Sequence, residues 1–482
     1  MGHSPNQTCS PTGRWRLIPG LPAPLARFLE SGDWRRGAVE VKRNRRRVVY
    51  RCQPPEGGLA VYVKEDVPHG LFDRVKSLFR CKAEREFRSL TAIGAAGIPA
   101  IRPLGWAELP GGGLLATEEM PGQSLQIALV REPVGRLMGS RQFRQALGAF
   151  LHRILRAGLA HPDMHEGNLL LDWVGGEPVF ALVDLYGARL RPAVPCAAKQ
   201  RMLRWLCPHL QPLPVRERRA MLQQITAGDP EPGKLGSWPG LTASWAQFWR
   251  ERWGGWRKQM LRSSSVCEQT AAAQGVWLVR RNAATPAELA QALTTYHGLQ
   301  PAAGSRPVRV NDTMFVKEYA QAAPARRAWL ATMRTAYLVP VAPGLGWLRA
   351  ADGSSYLFRR DPGGASLADR LRQAKPAEWG NWLAQATSIL ARLHLCHCFH
   401  ADLRLDNWAV GADDRVMLLA CDDVRQFRRF PEWARERNLR QLAASCPPSV
   451  TGRDKLRFLA RYGRLVNLPP AHLRRLAGRL QP

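Results

Sequence analysis

HPDMHEGNLLLDW, residues 161–173, sets His, Asp and Asn at the spacing His-x-Asp-x-x-x-x-Asn and then runs into an apolar segment. HADLRLDNWAV, residues 400–410, repeats that spacing in the second half of the chain. In each copy a stretch with helical apolar periodicity delivers the chain to the motif, RQFRQALGAFLHRILRAGL at 141–159 and GNWLAQATSILARLHLCHCF at 380–399. Two short strand-like runs follow each motif, and the second run ends on an acid, Asp184 or Asp422. Helix, polar loop, strand, turn, strand, aspartate, written twice, restricts the fold more tightly than any bulk property does.

The repeat extends upstream. AVEVKRNRRRVVYRC (38–52) and GLAVYVKED (58–66) are rich in β-branched residues, separated by the turn-forming QPPEGG, and read as antiparallel strands. RCKAEREFRSLTAIGAAG (80–97) reads as a helix stopped by Gly, and GGLLATEEMPGQSL (112–125) as a strand leaving into a linker. RPVRVNDTMFVKEYA (306–320), APARRAWLATMRTA and SSYLFRRDPGGASLADRL follow in parallel order. At 482 residues the chain exceeds the roughly 250–300 residues one core accommodates. These features predict two domains, 1–265 and 266–482, parted near the small polar stretch SSSVCEQTAAAQG (263–275). Between the motif and that boundary lie basic helices, and GDPEPGKLGSWPG (228–240) reads as a loop.

Hydrophobic content of 45% with 17 Trp supports buried cores. No apolar run reaches 18 residues, which excludes a transmembrane helix, and the N-terminal stretch lacks the apolar segment of a secretory signal. The expected location is therefore cytoplasmic, or peripheral on the cytosolic face of a membrane. Ten scattered Cys suit reduced thiols, and the C-x-C of HLCHCFH (394–400) lacks the paired spacing of a structural zinc site. The net charge of +31 attracts polyanions: an anionic membrane surface, a phosphorylated substrate or nucleic acid. No zinc-finger, RRM or basic-tail pattern selects nucleic acid from that set.

The residue types in the motif indicate phosphoryl chemistry. Asp163 and Asn168 lie five apart in a loop and can converge on one point. Asp184 ends a strand that can bring its carboxylate beside them. Asn168 and Asp184 offer the hard oxygen ligands that suit Mg²⁺, and Asp163 can accept a hydroxyl proton. Lys64, on an upstream strand, can hold phosphate oxygens, and a helix glutamate can orient it.

The order Lys, helix Glu, His-x-Asp-x-x-x-x-Asn and post-strand Asp resembles the protein-kinase-like superfamily. The wording of HPDMHEGNLLLDW and LVDLYGARL is most similar to the lipopolysaccharide core heptose/Kdo kinase family. RIO-type kinases and aminoglycoside phosphotransferases have similar loops. The resemblance covers about residues 38–195 and, more weakly, about 306–430. It implies an α+β fold: two tandem protein-kinase-like bilobal domains, each an antiparallel-sheet lobe plus a helical lobe. It further implies ATP and Mg²⁺ as cofactors and transfer of the γ-phosphoryl group to a heptose or Kdo hydroxyl of the lipopolysaccharide inner core.

Carried onto this chain, the resemblance gives Lys64 the nucleotide phosphates and gives Glu86, rather than Glu84, the pairing with Lys64. Asp163 is the base, His161 supports the loop, and His165 stands where protein kinases carry the loop Lys. Asn168 and Asp184 hold the metal. The corresponding second-copy residues are Lys317, Asp402, Asn407 and Asp422, with Asp423 the alternative to Asp422 and Arg404 in the place of His165. The chain departs from protein kinases in reading DLY at 184–186 and in lacking a G-x-G-x-x-G loop before Lys64. Ala328 falls where the second copy needs its glutamate, so that half is either a second enzyme or a pseudokinase scaffold. A phosphotransferase for a small soluble molecule is the other alternative.

Overall fold

The computed structural model describes residues 13–43, 47–55, 57–58, 60–66, 81–110, 112–131, 136–211, 213–300 and 307–480. Residues 1–12, the turn residue Glu56 and the run 44–46 within the first predicted strand pair lie outside the described residues. The chain divides into two compact units, residues 1–125 with 149–202 and residues 126–148 with 203–482. Both are mixed α/β, with antiparallel sheets and many helices.

The first unit is built on a six-stranded antiparallel sheet ordered Trp15–Leu17, Pro103–Leu109, Gly112–Glu118, Val61–Asp66, Arg47–Cys52 and Val39–Arg43. Alternation along a strand sends successive side chains to opposite faces. Val61 and Val63 accordingly join Trp34, Phe28 and Leu29 in a buried cluster under the helix Ala23–Glu30. Tyr62, Lys64 and Asp66 point the other way, into a cavity. The helix Lys82–Ala95 packs on the strands Pro103–Leu109 and Gly112–Glu118 and buries Ala83, Glu86, Leu90 and Ile93, one stripe at helical spacing. A glutamate therefore sits on the core-facing stripe.

Beyond the sheet, the strands Leu169–Val174 and Glu177–Leu182 form a hairpin turned by Gly175 and Gly176. Both glycines have positive φ, 59° and 84°, as a two-residue hairpin turn of the primed type requires. Gln123–Ser124 adds a third strand, and Leu159–Ala160 pairs with Arg189–Leu190. Leu182 receives the N–H of Ile101 and donates to the carbonyl of Pro99, tying the hairpin to the connection leading into the sheet.

The second unit contains a sheet ordered Cys267–Ala272, Gly275–Arg280, Gly344–Ala350, Ser355–Arg360, Met314–Tyr319 and Val308–Asn311, also antiparallel. The helix Ala322–Leu338 packs on three of its strands. A hairpin, Trp408–Val410 with Val416–Leu418, takes Ala365–Ser366 as third strand, and Cys398–His400 pairs with Val424–Gln426. From Gly275–Arg280 onward these follow the order of the first unit, except that the second sheet carries the edge strand Cys267–Ala272 and lacks a counterpart of Val39–Arg43. The helices Glu432–Ala444, Gly452–Leu465 and Pro470–Leu480 complete this unit.

One loop reading is corrected. The predicted loop 228–240 holds the short helix Pro232–Leu235 and the start of the helix Trp238–Gln259. Ser237 caps that helix by accepting the Gly240 N–H, and Pro239 is accommodated in its first turn. Within 263–275, Cys267–Ala272 is an edge strand, whose small exposed residues gave no strand signal.

Candidate active site

Glu86 is 1% exposed and meets two cations. Lys64 Nζ donates to its Oε1 at 2.6 Å and Arg47 Nη1 to its Oε2 at 2.9 Å. Arg47 also reaches Asp66 Oδ1 through Nε at 2.9 Å, so the acids and bases of two strands and one helix interlock. Burial by itself raises the Glu86 carboxyl pKa, but Lys64 and Arg47 outweigh it and hold the group below the ordinary carboxylate range. Arg47 was not foreseen. It lies in a run of five basic residues within 42–47, and its register opposite Asp66 separates it from the exposed Lys42 and Arg43.

Lys64 and Asp184 both line a cavity of about 670 Å³, together with Arg47, Tyr62, Thr117 and Tyr186. The segment Glu118–Met120, which leaves the sheet, closes another side. Tyr62 Oη and both guanidinium arms of Arg51 fix the Glu119 carboxylate there. Glu119 and Tyr62 were also missed, because nothing in their spacing sets them apart.

Asp184 has φ 56°, a left-handed conformation that Asp tolerates better than most residues. It follows the strand Glu177–Leu182, while Asn168 precedes the partner strand, and the register Leu169↔Leu182 brings both to one end of the hairpin. The Val183 N–H donates to the Asn168 carbonyl at 3.0 Å. The helix carrying Glu86 is joined to the same segment: Ser89 Oγ donates to the Ala188 carbonyl, and the Arg85 guanidinium lies 5.8 Å over the Tyr186 ring.

In the loop, Asn168 Nδ2 donates to the Asp163 carbonyl at 2.8 Å, which leaves its Oδ1 as the side-chain acceptor. His161 Nδ1 accepts the Asp163 N–H at 3.1 Å. Burial lowers the His161 pKa against the raising effect of the Asp163 and Asp184 carboxylates. His165 is buried. Its Nδ1 accepts the Gly167 N–H at 2.9 Å, and its Nε2 stands 3.7 Å from Asp163 Oδ2. The Asp163 side chain is 67% exposed. The structure thus gathers Lys64, Glu86 and Asp184 about the cavity. Asp163, His161, His165 and Asn168 form the adjoining loop, bonded to the Asp184 segment through Asn168.

The second copy is arranged differently. Ala328 is buried at the position of Glu86, and Lys317 Nζ donates instead to Asp422 Oδ2 at 2.8 Å. Arg359, 4% exposed, ion-pairs with Asp422 Oδ1, and Tyr319 Oη donates to Oδ2 at 2.5 Å. Both carboxylate oxygens of Asp422 are engaged by protein donors. Asn407 Nδ2 reaches both the carbonyl and Oδ2 of Asp402, at 2.7 and 3.1 Å, and Arg404 Nε lies 3.4 Å from Asp402. His400 keeps the supporting role of its counterpart: Nδ1 accepts the Asp402 N–H, and Nε2 donates to the Ala420 carbonyl. In HLCHCFH, His394 is held between Tyr462 Oη and Asn438 Oδ1, and Cys396 and Cys398 are buried free thiols.

No curated protein matches the chain. A family model, described as Lipopolysaccharide kinase (Kdo/WaaP) family, matches residues 31–226 and so ends before the second set of elements. That span contains the Lys64–Glu86 pair, the Asp163 loop and Asp184, and over residues 31–226 the chain is similar to the lipopolysaccharide kinase (Kdo/WaaP) family.

Proposed function

We propose that the first half transfers the γ-phosphoryl group of ATP to a heptose or Kdo hydroxyl of the lipopolysaccharide inner core. The observation that carries this reading is the Lys64–Glu86 pair, in which buried Glu86 holds Lys64 at the cavity that Asp184 also lines. The pair presents a fixed ammonium to nucleotide phosphates, as phosphoryl transfer requires. The attacking hydroxyl forms the new O–P bond, its proton passes to Asp163, and the bond to the β-phosphate oxygen breaks to release ADP. His161, neutral and hydrogen-bonded to the Asp163 N–H, fixes the loop. His165 Nε2 lies beside the Asp163 carboxylate, where it can orient the base.

The residues present fit a divalent cation. Asn168 has its amide nitrogen committed and its oxygen available, and Asp184 is exposed and forms no ion pair among the described residues. When bound, Mg²⁺ would neutralise charge on the transferring phosphates. Asn168 and Asp184 would hold it.

In this reading the molecule is two tandem kinase-like domains divided near residue 265, the second a pseudokinase. Engagement of both Asp422 oxygens by Lys317, Tyr319 and Arg359 supports that assignment. The charge of +31 supports work at an anionic membrane surface on the cytosolic face, and no described helix is long and apolar enough to cross a membrane. The test is transfer of labelled phosphate from ATP–Mg²⁺ to dephosphorylated core by the wild type, Asp163→Ala and Asp402→Ala. Loss with Asp163→Ala alone is expected. Failure of the wild type to label core while labelling a soluble sugar would sink the reading and leave the small-molecule phosphotransferase.

A further inference from the structure

We propose that the second half carries a separate binding site for an anion bearing two or more phosphates, on the face of the helix Ala322–Leu338. A cavity of about 890 Å³ runs along that face. It is lined by residues 322, 326, 330 and 334 and by 323, 327 and 331, the i, i+4 rows of a single helix face. Twelve residues of helix span about 18 Å, so the cavity is an elongated groove.

Three features give the groove its chemistry. Six guanidinium groups line it: Arg257, Arg326, Arg327, Arg334, Arg349 and Arg425. Among the described residues none of the six forms an ion pair, whereas Arg309, Arg359 and Arg440 of the same unit do. One end holds the N-terminus of the 17-residue helix, which has no side-chain cap and no acid in its first turn. The N–H groups of Ala322 and Ala323, ahead of Pro324, with Arg326 and Arg327 one turn on, suit a phosphate. Towards the other end lies Arg334, nine-tenths buried: Nη2 donates to the Val424 carbonyl, its guanidinium lies 5.3 Å from the Trp253 ring centroid, and Nε has no partner among the described residues. Trp347 also lines the groove, and its buried Nε1 is a second donor without a partner among the described residues.

Buried donors are almost always satisfied. Two such donors beside one cationic groove favour a ligand that brings acceptor atoms to it. The groove also holds Asp422 and Asp423. Asp422 is neutralised by Lys317 and Arg359, which leaves Asp423 as the one opposing charge. Guanidinium groups at both ends, with Trp253 and Trp347 between strand and helix, fit phosphates separated by a ring or chain rather than one phosphate. Phosphorylated glycan and free polyphosphate share that chemistry.

The experiment is calorimetric titration of the full chain, without divalent metal, using tripolyphosphate and fructose 1,6-bisphosphate as probes. Four proteins are compared: wild type, Arg326→Glu/Arg327→Glu, Lys64→Met, and Arg474→Glu/Arg475→Glu. The last pair reverses two exposed charges on the helix Pro470–Leu480 and matches the charge change of the groove variant. Saturable binding that weakens tenfold or more only in Arg326→Glu/Arg327→Glu supports the site, and tighter binding of the sugar bisphosphate assigns it to a glycan ligand. Equal weakening in Arg474→Glu/Arg475→Glu would reduce the effect to general basicity. Loss in Lys64→Met alone would place binding in the first-half cavity, and absence of saturable binding would also overturn the proposal. Neither result depends on phosphoryl transfer, so the site and the kinase reading fail separately.

Discussion

Lys317 Nζ lies 2.8 Å from Asp422 Oδ2, while Lys64 Nζ lies 2.6 Å from Glu86 Oε1. Two lysines at matching places in the two halves thus take different acids. Where the helix supplies Glu86, the post-strand aspartate stays exposed, with no ion pair among the described residues. Where the helix supplies Ala328, the post-strand aspartate is drawn into the lysine's ion pair and buried Arg359 joins it.

Asp184→Asn and Asp422→Asn should therefore have opposite signatures. Asn keeps the geometry and tolerates φ 56°, so Asp184→Asn should leave stability within about 0.5 kcal/mol and remove phosphoryl transfer. Asp422→Asn leaves Lys317 and buried Arg359 uncompensated and should cost about 3–5 kcal/mol, with transfer per folded molecule unchanged. Urea unfolding and single-turnover transfer on both variants check this. A catalytic loss with Asp422→Asn at wild-type stability would show a second working site.

Glu86→Gln retains shape but strands Lys64, at 13% side-chain exposure, and leaves Arg47, at 17%, with Asp66 alone. The expected cost is again about 3–5 kcal/mol, with nucleotide affinity falling because Lys64 loses its anchor. Glu84→Gln, which removes only a contact to the exposed Arg88, should change stability by about 0.5 kcal/mol or less. Comparing the two variants by denaturant unfolding and nucleotide titration separates a structural glutamate from a solvated one.

The contrast between Glu84 and Glu86 shows how far the sequence reaches. The order of elements was legible, because apolar periodicity and the fixed Asp–Asn spacing are local. Glu86 was legible because Leu90, one turn on, marks the buried stripe. Arg359 was not: it belongs to an ordinary basic strand, and only the fold brings it to Asp422. Arg47 and Glu119 were hidden for the same reason. The strand Cys267–Ala272 was missed because an edge strand of small, exposed residues resembles a linker.

Acid should weaken the protein in two windows. The pKa of buried His394 is pushed down to about 3, whereas the unfolded chain titrates near 6.5. The unfolded state therefore binds the proton first, and stability present above pH 6.5 is lost as pH falls towards 3, by about 1.4 kcal/mol per pH unit for this group. The Glu86 carboxyl is also lowered, from 4.5, so its contribution persists above that value and is lost only as pH falls below it. Nitrogen NMR of the imidazoles at pH 5 should find His394 neutral, with Nε2 protonated towards Asn438. An imidazolium there would overturn the assignment.

Asp163 supplies the sharpest test, because its side chain is two-thirds exposed while its backbone is locked. The Asp163 N–H is held by His161 and its carbonyl by Asn168, so Asp163→Ala removes a carboxylate without releasing the loop. Stability should change by about 0.5 kcal/mol or less, and KM for the nucleotide should hold within about twofold. Removing a general base lowers turnover by about 10²–10⁴-fold. His165→Gln should give a smaller fall, because His165 acts on the carboxylate from 3.7 Å and Gln keeps a donor there. If Asp163→Ala raised KM and left kcat intact, Asp163 would be a binding residue, and the proton would have to leave by another path. A fall in kcat alone makes it the base, and the loop around it the support that aims it.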